Sequence, residues 1–138
     1  MSTLTKLALG LMGQLRPEPP KGDAAKAIHL PPPAKSGGLP LMEALAKRQS
    51  AREFVREAPL DLVFVADHAR MGMVPVSLRE SYASAAAGAI AQNVYFYCAS
   101  AGLATVICAW IDRAAIADAL GLTHDQQVLL AQTVGFPA

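Results

Sequence analysis

Cysteine is scarce in this 138-residue chain, and the two that occur, Cys98 and Cys108, stand in apolar surroundings with no CxxC pair and no histidine at ligand spacing. That excludes a disulfide-stapled or metal-stapled scaffold and points to a reducing, cytoplasmic compartment. An excess of one charge is missing as well: 12 Lys plus Arg against 11 Asp plus Glu leave +1. So small a charge does not steer a chain to nucleic acid or to an anionic membrane surface. No GxGxxG and no GxxxxGKS/T occurs, which removes the common dinucleotide and nucleotide loops. Paired catalytic carboxylates are not evident either, because Asp112 and Asp118 are better explained by helix capping and solvation.

What the chain has in quantity is apolar surface. Hydrophobic residues make up 53% and charged residues 17% of the sequence, more apolar material than a small monomer easily hides, so some of it is expected to face a partner subunit or a cofactor. Between Ser81 and Ile111 there is not one charged residue. A membrane span is not the expected reading of this run, because Gln92, Asn93, Ser84, Ser100 and Thr105 interrupt it and Gly102 looks like a helix stop. The patch Leu7 to Met12 imitates a secretory signal poorly: Lys6 is its single preceding cation, and no small-x-small cleavage site follows before Arg16. A short amphipathic arm packing on a neighbouring subunit is expected there instead.

Residues 16–40 contain seven prolines and three glycines, which excludes regular structure through most of that stretch. Residues 1–29 therefore read as an N-terminal arm and Pro-rich linker, and residues 30–138 as one folded domain. Leu39 to Arg48 is predicted as a short helix, with Leu41, Leu45 and Arg48 on one face and Pro40 in its first turn. Leu60 to Ala66 reads as a central strand, since Val63, Phe64 and Val65 are apolar without alternation, as in a strand covered on both sides. Arg79 to Ala101 is the longest predicted helix, with Ala83, Ala87, Ile90, Val94 and Tyr97 at helical spacing and both faces expected to be buried. Ala104 to Ile111 is a further inner strand. Asp112 is placed to cap a helix Ala114 to Leu120 that Gly121 ends, and Gln127 to Val134 is the last strand. No internal repeat is visible.

The densest polar constellation is Lys47-Arg48-Gln49-Ser50-Ala51-Arg52, where a helix gives way to extended chain. Two guanidiniums and a hydroxyl at such a junction can clamp a phosphate, because arginine offers a fork of charged donors. The same residues also read as a solvated basic helix end with Glu43 and Glu53 as surface partners. Asp67-His68, at a strand end, has no nucleophile in a recognisable context and reads as a loop pair. His29 and His124 lack metal partners at useful spacing. Gln92-Asn93 would need hydrogen-bond partners if buried, from backbone or from a cofactor edge. Trp110 is expected in the core or an interface.

The run Leu30-Pro31-Pro32-Pro33-Ala34-Lys35-Ser36-Gly37-Gly38-Leu39-Pro40-Leu41-Met42-Glu43-Ala44-Leu45, followed by Arg48 to Phe54, resembles the opening of FMN-dependent nitroreductases. It is most similar to the branch of oxidases that form thiazole and oxazole rings in peptides. Val63 to Asp67, Ala87 to Tyr95, Ala101 to Thr105 and Val134-Gly135-Phe136-Pro137 resemble the family's later landmarks, in order. The resemblance implies an α+β fold, a nitroreductase-like, mainly antiparallel central sheet flanked by helices. It also implies a homodimer with FMN at the subunit interface. The family's Arg-x-Ser-x-Arg/Lys motif maps onto Arg48, Gln49, Ser50 and Arg52, which are expected to bind the FMN phosphate, ribityl chain and flavin edge. Hydride would pass from NAD(P)H through the flavin to a small organic acceptor, with no protein nucleophile. The connection at 55–61 is shorter than the block family members carry there, so a shortened, internally deleted member is expected. The alternative is a non-enzymatic relative acting as a dimeric or partner-binding module.

Overall fold

The computed structural model describes residues 31–32, 34–55 and 59–138. The chain divides into two units, Met1–Gly37 and Gly38–Ala138, and all that follows concerns the second. The arm expected over residues 1–29 lies outside the described residues.

Among the described residues three helices and three strands follow in order: α1 Leu41–Lys47, β1 Leu60–Asp67, a 3-10 turn His68–Met71, α2 Val76–Ala101, β2 Ala104–Cys108, α3 Arg113–Leu120 and β3 Gln126–Gly135. The strands form one antiparallel sheet in the order β1-β3-β2. β1 pairs with β3 from Leu60 opposite Val134 to Asp67 opposite Gln126, and β2 pairs with β3 from Ala104 opposite Gly135 to Cys108 opposite Ala131. The central strand is therefore β3, and Leu60 to Asp67 is an edge strand, contrary to the expectation from its apolar run. An antiparallel sheet can leave one face half-open, so a continuous apolar stretch does not by itself require a central position. Between Phe64 and Val65 the register slips by one residue, leaving Leu129 of β3 unpaired as a bulge.

Local chemistry accounts for the element ends. Pro40 is the residue before α1, where its missing N–H costs nothing. Asp112 caps α3, its carboxylate accepting from the Ala115 N–H at 3.0 Å, and Gly121 closes it in the left-handed region at φ 64°. Gly102 does the same for α2 at φ 70°, a conformation that glycine alone adopts at little cost.

The core lies between α2 and the sheet. Along the 26 residues of α2 only Ala87, Ala91, Tyr95 and Cys98 are buried, a stripe at spacings of four, four and three. The far side, Tyr82, Ala86, Ile90, Asn93 and Tyr97, is exposed. Burial of both faces is thus not found within one chain. In α1 the apolar pair Leu41 and Leu45 is likewise exposed and Ala44 is the buried residue. No helix among the described residues is long and apolar enough to cross a membrane.

Candidate functional site

After α1 the chain becomes extended and runs beside the outer edge of β2. The Ala51 N–H donates to the Thr105 carbonyl at 3.0 Å, and further along the Val55 N–H donates to the Phe136 carbonyl at 3.0 Å. Phe54 forms an isolated bridge with Pro137. Between those anchors lies the basic motif, and alternation in an extended segment divides its side chains. Gln49 joins Lys47, Ala51, Cys98, Thr105 and Pro137 around a cleft of about 290 Å³ at the C-terminal ends of α1 and α2. Arg48 and Ser50 converge on Tyr95, which also lines that cleft. The Arg48 guanidinium carbon lies 5.3 Å from the centroid of the Tyr95 ring, within cation–π range. Ser50 Oγ and Tyr95 Oη are 2.8 Å apart, and the Ile107 N–H donates to the same Tyr95 oxygen at 3.1 Å.

Arg52 is exposed, and among the described residues neither Arg48 nor Arg52 has a carboxylate partner. The solvated reading does describe Lys47, whose Nζ pairs with Glu43 Oε1 at 2.9 Å. Of the four residues singled out from sequence, Arg48 and Ser50 are brought together, Gln49 faces the cleft beside them, and Arg52 stands further along the strand-like segment.

The floor beneath this region is a buried polar relay. Gln132, fully buried on β3, donates through Nε2 to the Ala91 carbonyl at 3.3 Å and to Thr105 Oγ1 at 3.1 Å. Thr105 Oγ1 in turn donates to the Thr133 carbonyl at 2.7 Å. Burial raises the Cys98 thiol above its ordinary pKa, and a hydrogen bond with the Thr105 side chain lowers it in part. The cleft wall therefore holds a neutral thiol.

The remaining sequence candidates stand apart from this site. Asp67 caps the 3-10 turn through Ala69 N–H at 3.1 Å, and His68 Nε2 lies 2.7 Å from Gln127 Oε1. Those contacts suit a loop pair. His124 is an exposed residue beside Asp125. Gln92 is half-buried and Asn93 exposed, so the buried amide of the core is Gln132. Trp110 is not a core residue: it is fully exposed, beside an open groove with Ala109, Ile111 and Arg113. Its turn is pinned by Arg113, which donates to the Ala109 carbonyl at 2.9 Å and to the carbonyl of the bulged Leu129 at 2.9 Å. No group of three metal-ligating side chains occurs among the described residues.

Sequence reasoning missed Tyr95 and Gln132. The signal for Gln132 was a lone amide in the apolar run Val128 to Val134, and for Tyr95 a phenol on the same helical stripe as Ala87 and Ala91.

The comparisons with known proteins converge. No curated protein matches the sequence. Among solved structures, a candidate nitroreductase from Ralstonia eutropha JMP134 is similar at 29% identity with a TM-score of 0.75, over 90% of this chain and 95% of that one. A nitroreductase-like family protein from Bacillus cereus, at 13% identity and TM-score 0.52 over 76% of this chain and 89% of its own, shares the fold. The pattern that defines the nitroreductase family matches residues 11–136, which include the basic segment, the α2 stripe and all three strands, and the chain belongs to that family.

Proposed function

We propose that this chain is an FMN-dependent oxidoreductase that passes hydride from NAD(P)H to a small organic acceptor, working in the cytoplasm as a homodimer. The observation that carries the proposal is the pair of guanidiniums at Arg48 and Arg52, free of carboxylates among the described residues, with the Ser50 hydroxyl on the same extended segment and the Gln49 amide in the neighbouring cleft. A cationic donor set of this kind suits a phosphate monoester.

The fit to FMN can be tested residue by residue. For the phosphate and polar chain, Arg48, Ser50 and Arg52 offer charged and neutral donors, and Gln49 offers an amide at the mouth of the cleft. For the flavin ring a broader apolar wall is needed than a cleft of about 290 Å³ supplies. The exposed Tyr82, Ile90, Tyr97 and Phe136 are the kind of surface a second protomer covers. The residues therefore fit the phosphate end within one chain and leave the ring to be enclosed by the dimer. When bound, FMN supplies reversible hydride acceptance; the chain's own residues bind, orient and exclude water, and none is assigned as acid, base or nucleophile.

Two finer readings belong with this proposal. The segment from Leu30 to Phe54 favours the thiazole- and oxazole-forming branch of the family, and the short connection at 55–61 marks where longer members carry an extra block. The solved relative matched over 95% of its length has nearly the same compass. The deciding experiment is a visible absorption spectrum after adding FMN and desalting, followed by NADH and NADPH oxidation with a nitroaromatic or quinone acceptor. Flavin near one per chain and acceptor-dependent turnover are expected. A colourless, inactive protein would replace the proposal with that of a non-enzymatic dimeric module.

A further inference from the structure

We infer that Tyr95 is the positioning residue of this site, and that through Ser50 and Arg48 it makes the chain discriminate a phosphorylated flavin from the same flavin without its phosphate. The inference rests on the flavin reading above. Three independent contacts meet on this one side chain: Arg48 over its ring, Ser50 Oγ 2.8 Å from its oxygen, and the Ile107 N–H 3.1 Å from the same oxygen. Tyr95 is 6% exposed and sits in the buried stripe of α2, so its position is set by the core and not by solvent.

Proton accounting gives the hydrogen bond a direction. The Ile107 N–H occupies one lone pair of Tyr95 Oη. If Ser50 also donated to that oxygen, the phenolic proton would have no acceptor among the described residues, the less favourable arrangement. Pairing the phenolic proton with Ser50 Oγ satisfies it, so Tyr95 is assigned as the donor of this bond. The hydrogen of Ser50 is then released to point outward, where Ser50 is exposed, as a donor for an anionic oxygen. Above the ring, Arg48 is held with its fork of donors in one region and not spread over the rotamers of an exposed arginine.

One consequence is specific. Only the phosphate end of a flavin would use these donors, so Tyr95 acts on the preference for FMN over riboflavin and leaves the ring's affinity alone. The test is parallel titration of wild type, Tyr95→Phe and Ser50→Ala with FMN and with riboflavin, read by quenching of flavin fluorescence, alongside thermal melts of the unliganded proteins. Wild type is expected to prefer FMN. Tyr95→Phe, which keeps the ring, is expected to lose about tenfold of that preference with riboflavin affinity unchanged. An unchanged FMN-to-riboflavin ratio in Tyr95→Phe overturns the inference, as does an equal loss for both flavins, which would mark a merely structural residue. If Tyr95→Phe does not fold, Ser50→Ala reads the same hydrogen bond from its exposed end, and a wild-type ratio there overturns the inference too. Wild type that binds neither flavin refutes the flavin reading itself, a result distinct from either of those.

Discussion

Arg48 and Arg52 are expected to respond differently to removal, and the difference follows from their surroundings. Arg52 is exposed and has no carboxylate or aromatic partner among the described residues. Its replacement by alanine should therefore leave the folded state nearly as stable as before, since isolated surface charges contribute little. Against a bound phosphate the same guanidinium makes a charge-assisted hydrogen bond, worth roughly 1.5 to 3 kcal/mol when well shielded and less when wet. Allowing for its exposure, Arg52→Ala should weaken FMN by about tenfold. Arg48 carries a second role, because its guanidinium lies 5.3 Å from the Tyr95 ring centroid. That contact is worth about 0.5 to 1 kcal/mol, which in a domain of this size is a fall of a few degrees in melting temperature. Arg48→Ala should thus lose both FMN affinity and a few degrees, and Arg52→Ala affinity alone. Flavin fluorescence titration and calorimetry of the flavin-free proteins measure the two quantities separately. Wild-type FMN affinity in both variants would refute the assignment of the motif to phosphate binding.

Three further outcomes follow from the packing. Asp112→Ala removes the cap on the Ala115 N–H and should cost about 1 kcal/mol in denaturant unfolding; an unchanged midpoint would show that water replaces the cap without loss. Gln132→Met should be close to neutral, within about 1 kcal/mol, because the Thr105 hydroxyl keeps its bond to the Thr133 carbonyl and Gln132 Oε1 has no partner among the described residues; a large loss would show that the amide is structurally essential. Burial raises the Cys98 thiol in the folded state only, so the unfolded chain sheds that proton first as pH climbs. The stability this contributes is complete below the ordinary thiol value and is lost as pH rises through the ordinary value toward the raised one. Denaturant melts from pH 7 to 10 should fall more steeply for wild type than for Cys98→Ala, and parallel curves would contradict the cause given.

Much of the fold was legible because its punctuation is local. Asp112, Gly102 and Gly121 act within a few residues of themselves, and they mark the end of α2, the start of β2 and both ends of α3. Strand order was not legible. Val63-Phe64-Val65 looks like a doubly covered strand, yet β3 takes the centre, and its own alternation is broken at the Leu129 bulge that Arg113 caps from α3. That compensation joins residues sixteen apart in sequence, beyond the reach of any period-two pattern. The site divides in the same way. Arg48, Gln49, Ser50 and Arg52 could be read as phosphate chemistry because they are contiguous. Tyr95 lies 45 residues from Ser50, so only the folded chain reveals that one phenol meets both Arg48 and Ser50.

The charge-free stretch from Ser81 to Ile111 links these two halves of the problem. Its apolar and small residues suggested a helix buried on both sides, and the single chain buries only the stripe through Ala87, Ala91, Tyr95 and Cys98. On the far side Tyr82, Ile90 and Tyr97 stay exposed with no charge among them from Ser81 onward. A face that a partner is to cover carries no charged groups to desolvate, whereas a face meant for water usually carries several. Placing glutamate at Ile90 or Tyr97 should therefore leave the fold intact, because both side chains point away from the buried stripe, while any homodimer across this face is lost through burial of an unpaired carboxylate. Sedimentation velocity of Ile90→Glu and Tyr97→Glu reads the assembly, and absorption after desalting reads the flavin. If the ring is enclosed by two protomers, a dimer should dissociate and flavin should be lost together in these variants. Monomers that keep their flavin would place the whole cofactor within one chain, and dimers that persist would move the interface off α2 altogether.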